Sequence, residues 1–206
     1  ADWVGSKTFT IKTVDLLNNA STGLSTIATL FVPNPPTSPT NYISQNQLYL
    51  KWIEPAKTSL PVWGYEVRTD LNFGSSNALY KGTGLQCPIP KANTVFGLNT
   101  YYIKTIDTEN NYSTTYLTAT YTVGLPSDII AINETFADTS LTAATVTLTW
   151  ADITTNFGID YYLVSYGTVS VRSKSTTITF PADWVGSRSF KVQVVDNLGI
   201  VSTKNS

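Results

Sequence analysis

The hexapeptide Ala-Asp-Trp-Val-Gly-Ser occurs twice, at residues 1–6 and again at residues 182–187. No other feature constrains the fold as strongly, because the echo is not confined to six residues. Lys12-Thr13-Val14-Asp15 matches Lys104-Thr105-Ile106-Asp107 and Gln193-Val194-Val195-Asp196, and the three aspartates lie 92 and 89 residues apart. The same offsets align Gly5 with Gly97 and Gly186, Phe9 with Tyr101 and Phe190, and Ile11 with Ile103 and Val192. Six residues past each aspartate stands a serine: Ser21, Ser113 or Ser202. A unit of about ninety residues is therefore used three times, and a chain built that way must stack or string one small fold.

The front half of the unit appears twice. Leu48, Leu50 and Trp52 alternate with Tyr49, Lys51 and Ile53, and Val146, Leu148 and Trp150 alternate with threonines. A period of two buries one face of a strand. Next come Val62-x-x-Tyr65-x-Val67 and Ile159-x-x-Tyr162-x-Val164. From that tyrosine to the closing aspartate the later copy is eight residues shorter, which assigns the extra length of the earlier copy to the loop Asn72–Asn77. Thr, Val, Ile and Tyr dominate throughout and no stretch shows a helical period. Turn signals at Asn18-Asn19, Gly82-Thr83-Gly84, Asn110-Asn111 and Asn197-Leu198-Gly199 punctuate the strands. The expected fold class is all-β, in tandem antiparallel sandwiches.

In these features the chain resembles the fibronectin type III superfamily. The carriers are Trp52, Tyr65, Val67, Tyr101, Ile103, Asp107, Asn111 and Ser113, and in the later copy Trp150, Tyr162, Val164, Phe190, Val192, Asp196 and Ser202. The resemblance implies that Trp52, Tyr65, Val67, Tyr101, Trp150, Tyr162, Val164 and Phe190 form sandwich cores. It also implies three regions. Residues 1–32 would be the last two strands of a leading sandwich, with Leu24–Val32 as its final strand. Residues 33–123 would form a complete sandwich after a stiff connection at Val32–Pro39. Residues 124–206 would form a second one whose last strand is incomplete. Trp3 and Trp184 are expected to start the aromatic-led strand, with Val95 in their place in the middle copy. The sequence contains no methionine, and it is expected to continue on both sides.

A chemical inventory narrows function. With no histidine and one cysteine among 206 residues, the chain lacks the usual general base, the Ser/His and Cys/His nucleophile pairs and the material for a zinc site. Cys87 reads as a small buried hydrophobe. Among the carboxylates (Glu54, Glu66, Asp70, Asp107, Glu109, Glu134, Asp138, Asp152, Asp160) no pair recurs in both copies. The repeated Asp15, Asp107 and Asp196 read as turn formers that bond their own backbone, together with Ser21, Ser113 and Ser202. Calcium at Asp107, Glu109 and Asn111 is a weaker reading, since the spacing lacks the ligand density of a calcium loop. Trp63, Tyr112 and Tyr116 are candidate carbohydrate contacts, weighed against packing as the simpler role. Sequons at Asn19, Asn111 and Asn133 are explained, in two of three cases, by the same turn. No catalytic, cofactor-binding or metal residue is expected.

A net charge of −1 supplies no attraction to nucleic acid or acidic lipid, and no run approaches the roughly 18 apolar residues of a membrane span. Low-charge, Thr/Asn-rich, cysteine-poor modules of this type look like those of bacteriophage tail fibres, tail tips and baseplates. The resemblance thus implies a non-enzymatic spacer or host-contact element in a virion. Its partners would be further modules of a longer polypeptide, neighbouring virion subunits and a host surface glycan. The alternative is a bacterial surface or secreted module that spaces domains or binds glycans.

Overall fold

The structure is a computed structural model that describes residues 4–56, 59–138 and 144–203. Fifteen strands and one 3-10 turn, at Lys91–Asn93, make up its regular structure. A hairpin comes first, β1 (Gly5–Ile11) with β2 (Leu24–Leu30), paired antiparallel from Gly5↔Leu30 to Ile11↔Leu24. Seven strands follow: β3 (Thr37–Ser44), β4 (Gln47–Ile53), β5 (Val62–Arg68), β6 (Tyr80–Gly82), β7 (Gln86–Pro88), β8 (Gly97–Asp107) and β9 (Leu117–Val123). They form a three-stranded sheet in the order β3-β4-β7 and a four-stranded sheet in the order β6-β5-β8-β9. The remaining six are β10 (Ile132–Asp138), β11 (Ala144–Trp150), β12 (Ile159–Tyr166), β13 (Val169–Ser173), β14 (Thr177–Pro181) and β15 (Lys191–Asp196). Their sheets run β10-β11-β14 and β13-β12-β15. Strand for strand this repeats the preceding arrangement, with no counterpart of β9 among the described residues. The chain is all-β, in tandem antiparallel sandwiches of fibronectin type III-like topology.

By contact the chain divides into two compact units. The first holds the chain up to Asn41 with Leu50–Cys87 and Thr100–Thr120, the second Tyr42–Tyr49, Pro88–Asn99 and the chain from Tyr121 on.

Alternation decides the cores. On β4, Leu48, Leu50 and Trp52 are buried while Lys51 and Ile53 face out. On β11, Val146, Leu148 and Trp150 are buried. In the first unit Trp52 meets Tyr65 edge-to-face at 5.5 Å between ring centroids, which ties one sheet to the other. In the second unit Trp150 meets Tyr162 in the same way at 5.3 Å. Around that pair pack Ile129, Val164, Phe180, Val192 and Val194. Such edge-to-face pairs add to the area that the rings bury.

Four expectations need correction. The first hairpin's last strand ends at Leu30, and of the connection Val32–Pro39 the residues from Thr37 on already belong to β3. The segment before β15 is not strand: β15 begins at Lys191, so Phe190 stands just ahead of it, half-buried, stacked 5.6 Å from Phe180 and not in the fully buried core. Val95 does not start a strand either, being 57% exposed in the loop before β8, and Trp184 likewise precedes β15. Val95 and Trp184 each stand two residues before a glycine, Gly97 or Gly186, with φ of +92° or +87°, a turn that ends extended backbone on its N-terminal side; Phe190 instead joins Tyr166, Phe180 and Trp184 in an aromatic cluster ahead of β15. Trp3 lies outside the described residues.

Candidate functional site

The three repeat aspartates build the same turn. Asp15 Oδ1 accepts from the backbone N–H groups of Leu17 and Asn19 at 2.8 and 2.9 Å. Asp107 Oδ1 accepts from Glu109 and Asn111 at 3.0 and 2.8 Å, and Asp196 Oδ1 from Leu198 and Ile200 at 2.9 Å each. Three residues past each aspartate stands Asn18, Asn110 or Gly199, with φ of 65°, 63° and 83°, conformations that Asn and Gly tolerate best. The serines close the motif. Ser21, Ser113 and Ser202 donate their backbone N–H to Thr13, Thr105 and Val194 carbonyls at 2.8, 3.0 and 2.9 Å. Their hydroxyl oxygens accept from the N–H of the same three residues at 3.1, 3.2 and 3.1 Å.

These bonds are short-range and give each carboxylate two backbone donors on one oxygen, which is the work of a turn. Asn19 and Asn111 also donate their side-chain amides to Asp15 and Asp107, so these two sequon asparagines are engaged in the turn itself, whereas Asn133 is exposed on β10. The Asn19 hydrogen bonds hold the Asp15 carboxyl below the ordinary carboxylate range. Among the described residues no cluster of three or more acidic or cysteine side chains suits a metal ion.

Trp63, Tyr112 and Tyr116 do not share one surface contact. Trp63 is 44% exposed on β5, which corrects a core packing role. Strict alternation would turn it inward with Tyr65, but the β5–β8 register slips between Val62↔Asp107 and Gly64↔Ile106, and Trp63 is the extra residue of that bulge. The later copy has the same slip, between Ile159↔Asp196 and Tyr161↔Val195, with Asp160 as the extra residue. A bulge re-aims one side chain. In one copy it presents an indole and in the other a carboxylate paired with Lys174 Nζ at 2.7 Å. Tyr116 is 42% exposed and meets Tyr102 edge-to-face at 5.1 Å.

Tyr112 belongs to a cluster that sequence reasoning missed. Its hydroxyl donates to Glu66 Oε2 at 2.6 Å and accepts from Lys81 Nζ at 2.9 Å. Glu66 and Arg68 are 0% and 1% exposed and are joined at 3.0 Å. Glu66 Oε1 also accepts from the Gly74 N–H at 3.0 Å. Arg68 continues outward to Asp70 Oδ1 at 2.8 Å, the Ser75 carbonyl at 3.1 Å and Ser75 Oγ at 2.7 Å. The Arg68 hydrogen bond, followed by that from the Asn72 N–H, keeps the Asp70 carboxyl below its ordinary range. Phe73 lies 6.4 Å from the Tyr112 ring, with Lys104 Nζ 5.1 Å above its own. The cluster pins the loop after β5 onto that strand's outer face; between the equivalent pairs Val67↔Tyr80 and Val164↔Val171 this loop is six of the eight residues longer. Leu163 and Ser165 replace Glu66 and Arg68 in the later copy, whose loop is short. The available signal was that co-occurrence of a longer loop with two charges on one strand.

A second missed residue is Phe157. It is 3% exposed, edge-on to Tyr121 of β9 at 6.2 Å, and its carbonyl accepts from Asn197 Nδ2 at 2.7 Å. Cys87 is fully buried, and burial pushes its thiol up to about 12.

No family model matches the chain, and no curated protein matches it. Among solved structures it aligns with the crystal structure of the selenomethionine-substituted chicken interferon gamma receptor alpha chain, at 16% identity and a TM-score of 0.35, over 83% of this chain and 95% of that one. A likeness of that size carries no argument. The fold assignment rests on strand order and on the two tryptophan–tyrosine pairs.

Proposed function

We propose that this chain is a non-enzymatic stretch of tandem modules, residues 1–32, 33–123 and 124–206, acting as spacer and host-contact element of a larger virion protein of the bacteriophage tail. One observation carries the reading: the same frame is rebuilt copy after copy, down to the individual Asp and Ser hydrogen bonds, while the loop beside it changes. Repetition of a frame is a way to span distance, and variation of a loop held by that frame is a way to vary contact. Phe157, buried against Tyr121, supports the spacer role because it stiffens the passage out of β9. The exposed Trp63 and Tyr116 are where a host glycan would stack.

Those two rings also favour a second reading, a bacterial surface or secreted module that binds glycans. Immunogold microscopy with antibody against the purified chain separates the two. Label on a tail appendage of virions from the encoding organism's lysate is the expected result. Label on the envelope of virion-free cells, with virions unlabelled, would replace the phage reading by the second.

A further inference from the structure

Residues that a repeated frame requires recur in its copies, and a side-chain arrangement that does not recur is available for something else. The outer face of the β6-β5-β8 sheet holds such an arrangement. Glu66 of β5 has Lys81 of β6 and Lys104 of β8 as its cross-strand partners. All three side chains therefore leave the same face, with the two lysine Cα atoms about 10 Å apart. In the later copy these positions hold Leu163, Arg172 and Gln193.

Aromatic rings fill the space around the two lysines. Tyr102, two residues before Lys104 on β8, stands about 7 Å from it on that face and meets Tyr116 edge-to-face at 5.1 Å. Lys104 Nζ lies 5.1 Å above the Phe73 ring, which is 6.4 Å from the Tyr112 ring. Lys81 Nζ lies 5.5 Å from the centroid of Tyr112. Rings and ammonium groups thus follow one another from Tyr116 to Lys81. Lys191 and Val201 replace Tyr102 and Tyr112 in the later copy, so the frame does not depend on either ring.

Charge on this strip is unbalanced. Three cations, Arg68, Lys81 and Lys104, stand with two carboxylates, Glu66 and Asp70. The Glu66 carboxylate is already committed to Arg68, the Gly74 N–H and the Tyr112 hydroxyl. Lys104 forms no ion pair with a carboxylate among the described residues and reaches only the Thr114 carbonyl, at 3.4 Å. The Lys81 side chain is 40% exposed. Holding the loop after β5 needs neither the Lys104 charge nor the Tyr102–Tyr116 pair, because Arg68 and Glu66 already bind Asp70, Ser75 and Gly74. Rings with an apolar body and a polar tip suit the apolar faces and hydroxyl edges of a sugar chain, and ammonium groups beside them make charge-assisted bonds to carboxylate or phosphate.

We propose that this strip is a binding site for an acidic saccharide, its sugar rings lying along Tyr116, Tyr102 and Tyr112 and its carboxylate or phosphate groups at Lys104 and Lys81. The site rests on the glycan contact proposed above and gives that contact a place and a charge.

The test titrates the whole 15N-labelled chain with tetragalacturonate, with its fully methyl-esterified form and with a phosphodiester-linked glucose tetramer, followed by NMR. The expected result is saturable shifts at the Tyr102, Lys104 and Tyr112 amides with an acidic probe, and the tighter of the two identifies carboxylate or phosphate as the partner. Lys104→Gln, which installs the residue of the later copy, should weaken that binding about fivefold, the upper end for one exposed ion pair, and leave distant resonances in place. Equal affinity for the acid and its ester on the unaltered chain, or full affinity in Lys104→Gln, overturns the proposal. Equal shifts with sodium phosphate alone overturn it as well, since an ion and not a saccharide is then bound. Shifts confined to the Trp63 indole would remove the strip while keeping a glycan contact, and no saturable shift with any probe would remove both.

Discussion

Neither Trp52 Nε1 nor Trp150 Nε1 has a hydrogen-bond partner among the described residues, so packing alone holds each indole. Truncation to alanine should then cost about 3–5 kcal/mol of stability at either position. Trp52→Phe should cost distinctly less, because it keeps the edge-to-face contact with Tyr65 and strands no polar partner. Urea unfolding of the variants checks both, and a Trp52→Phe loss as large as that of Trp52→Ala would show that the indole N–H matters. Asp107 is 1% exposed and its carboxylate is the acceptor for two backbone donors. Asp107→Ala strands those donors, at about 1–3 kcal/mol, whereas Asp15→Ala in the exposed first turn should matter less. Cys87 is both buried and protonated at neutral pH. A thiol reagent should therefore label the native chain slowly and the urea-unfolded chain at once. Rapid labelling of the native chain would place Cys87 outside the core.

At the scale of elements, the loop after β5 is held by ions and the first hairpin by its ladder. Glu66→Ala would take from the buried Arg68 guanidinium its one buried carboxylate partner, leaving Asp70 and Ser75, a loss of about 3–5 kcal/mol. Replacing both Glu66 and Arg68 by methionine should recover most of that, because the desolvation cost disappears with the charges. Denaturation of the single and double variants decides the matter, and a double variant no better than the single one would show that the ions themselves are needed. The clamp also has a pH dependence. Asp70 has a lowered carboxyl pKa in the folded chain, so its contribution is full above the unfolded value of about 3.9 and is lost as pH falls through the lower folded one. Chemical shifts of the Asp70 carboxyl should titrate below the ordinary range, and Arg68→Ala should return them to it. Strands β1 and β2 carry Ile11, Leu24 and Ile27 at 73%, 80% and 68% exposure. A two-stranded hairpin with so little cover is marginal, and its amides should exchange faster than those of β4, β5 and β8.

For the molecule as a whole, legibility followed repetition. The two tryptophan–tyrosine pairs, the three aspartate turns and the serine clasps recur at fixed offsets, and recurrence separates a structural requirement from chance. Trp63 was weighed between a glycan contact and packing, and the bulge that exposes it carries no residue signature in the sequence. Glu66 and Arg68 were invisible for the opposite reason. On a strand they alternate with core residues as solvent-facing charges should, and only a loop folding back over the sheet buries them. Phe157 sits in a loop with no period to read. Phe190 was placed inside its strand because the alignment carried Tyr101 of β8 onto it, while in the later copy the ring joins Tyr166, Phe180 and Trp184 ahead of β15.

The central claim is that one sandwich frame is used repeatedly, with β5 and β12 as equivalent inner strands of two copies. Residue-resolved amide exchange on the monomeric chain tests it in a single experiment. Tyr65, Val67, Tyr162 and Val164, on strands paired along both edges, should exchange slowest, far behind the amides of β1 and β2. Fast exchange throughout β5 and β12, or protection of β1 and β2 equal to theirs, would contradict the account.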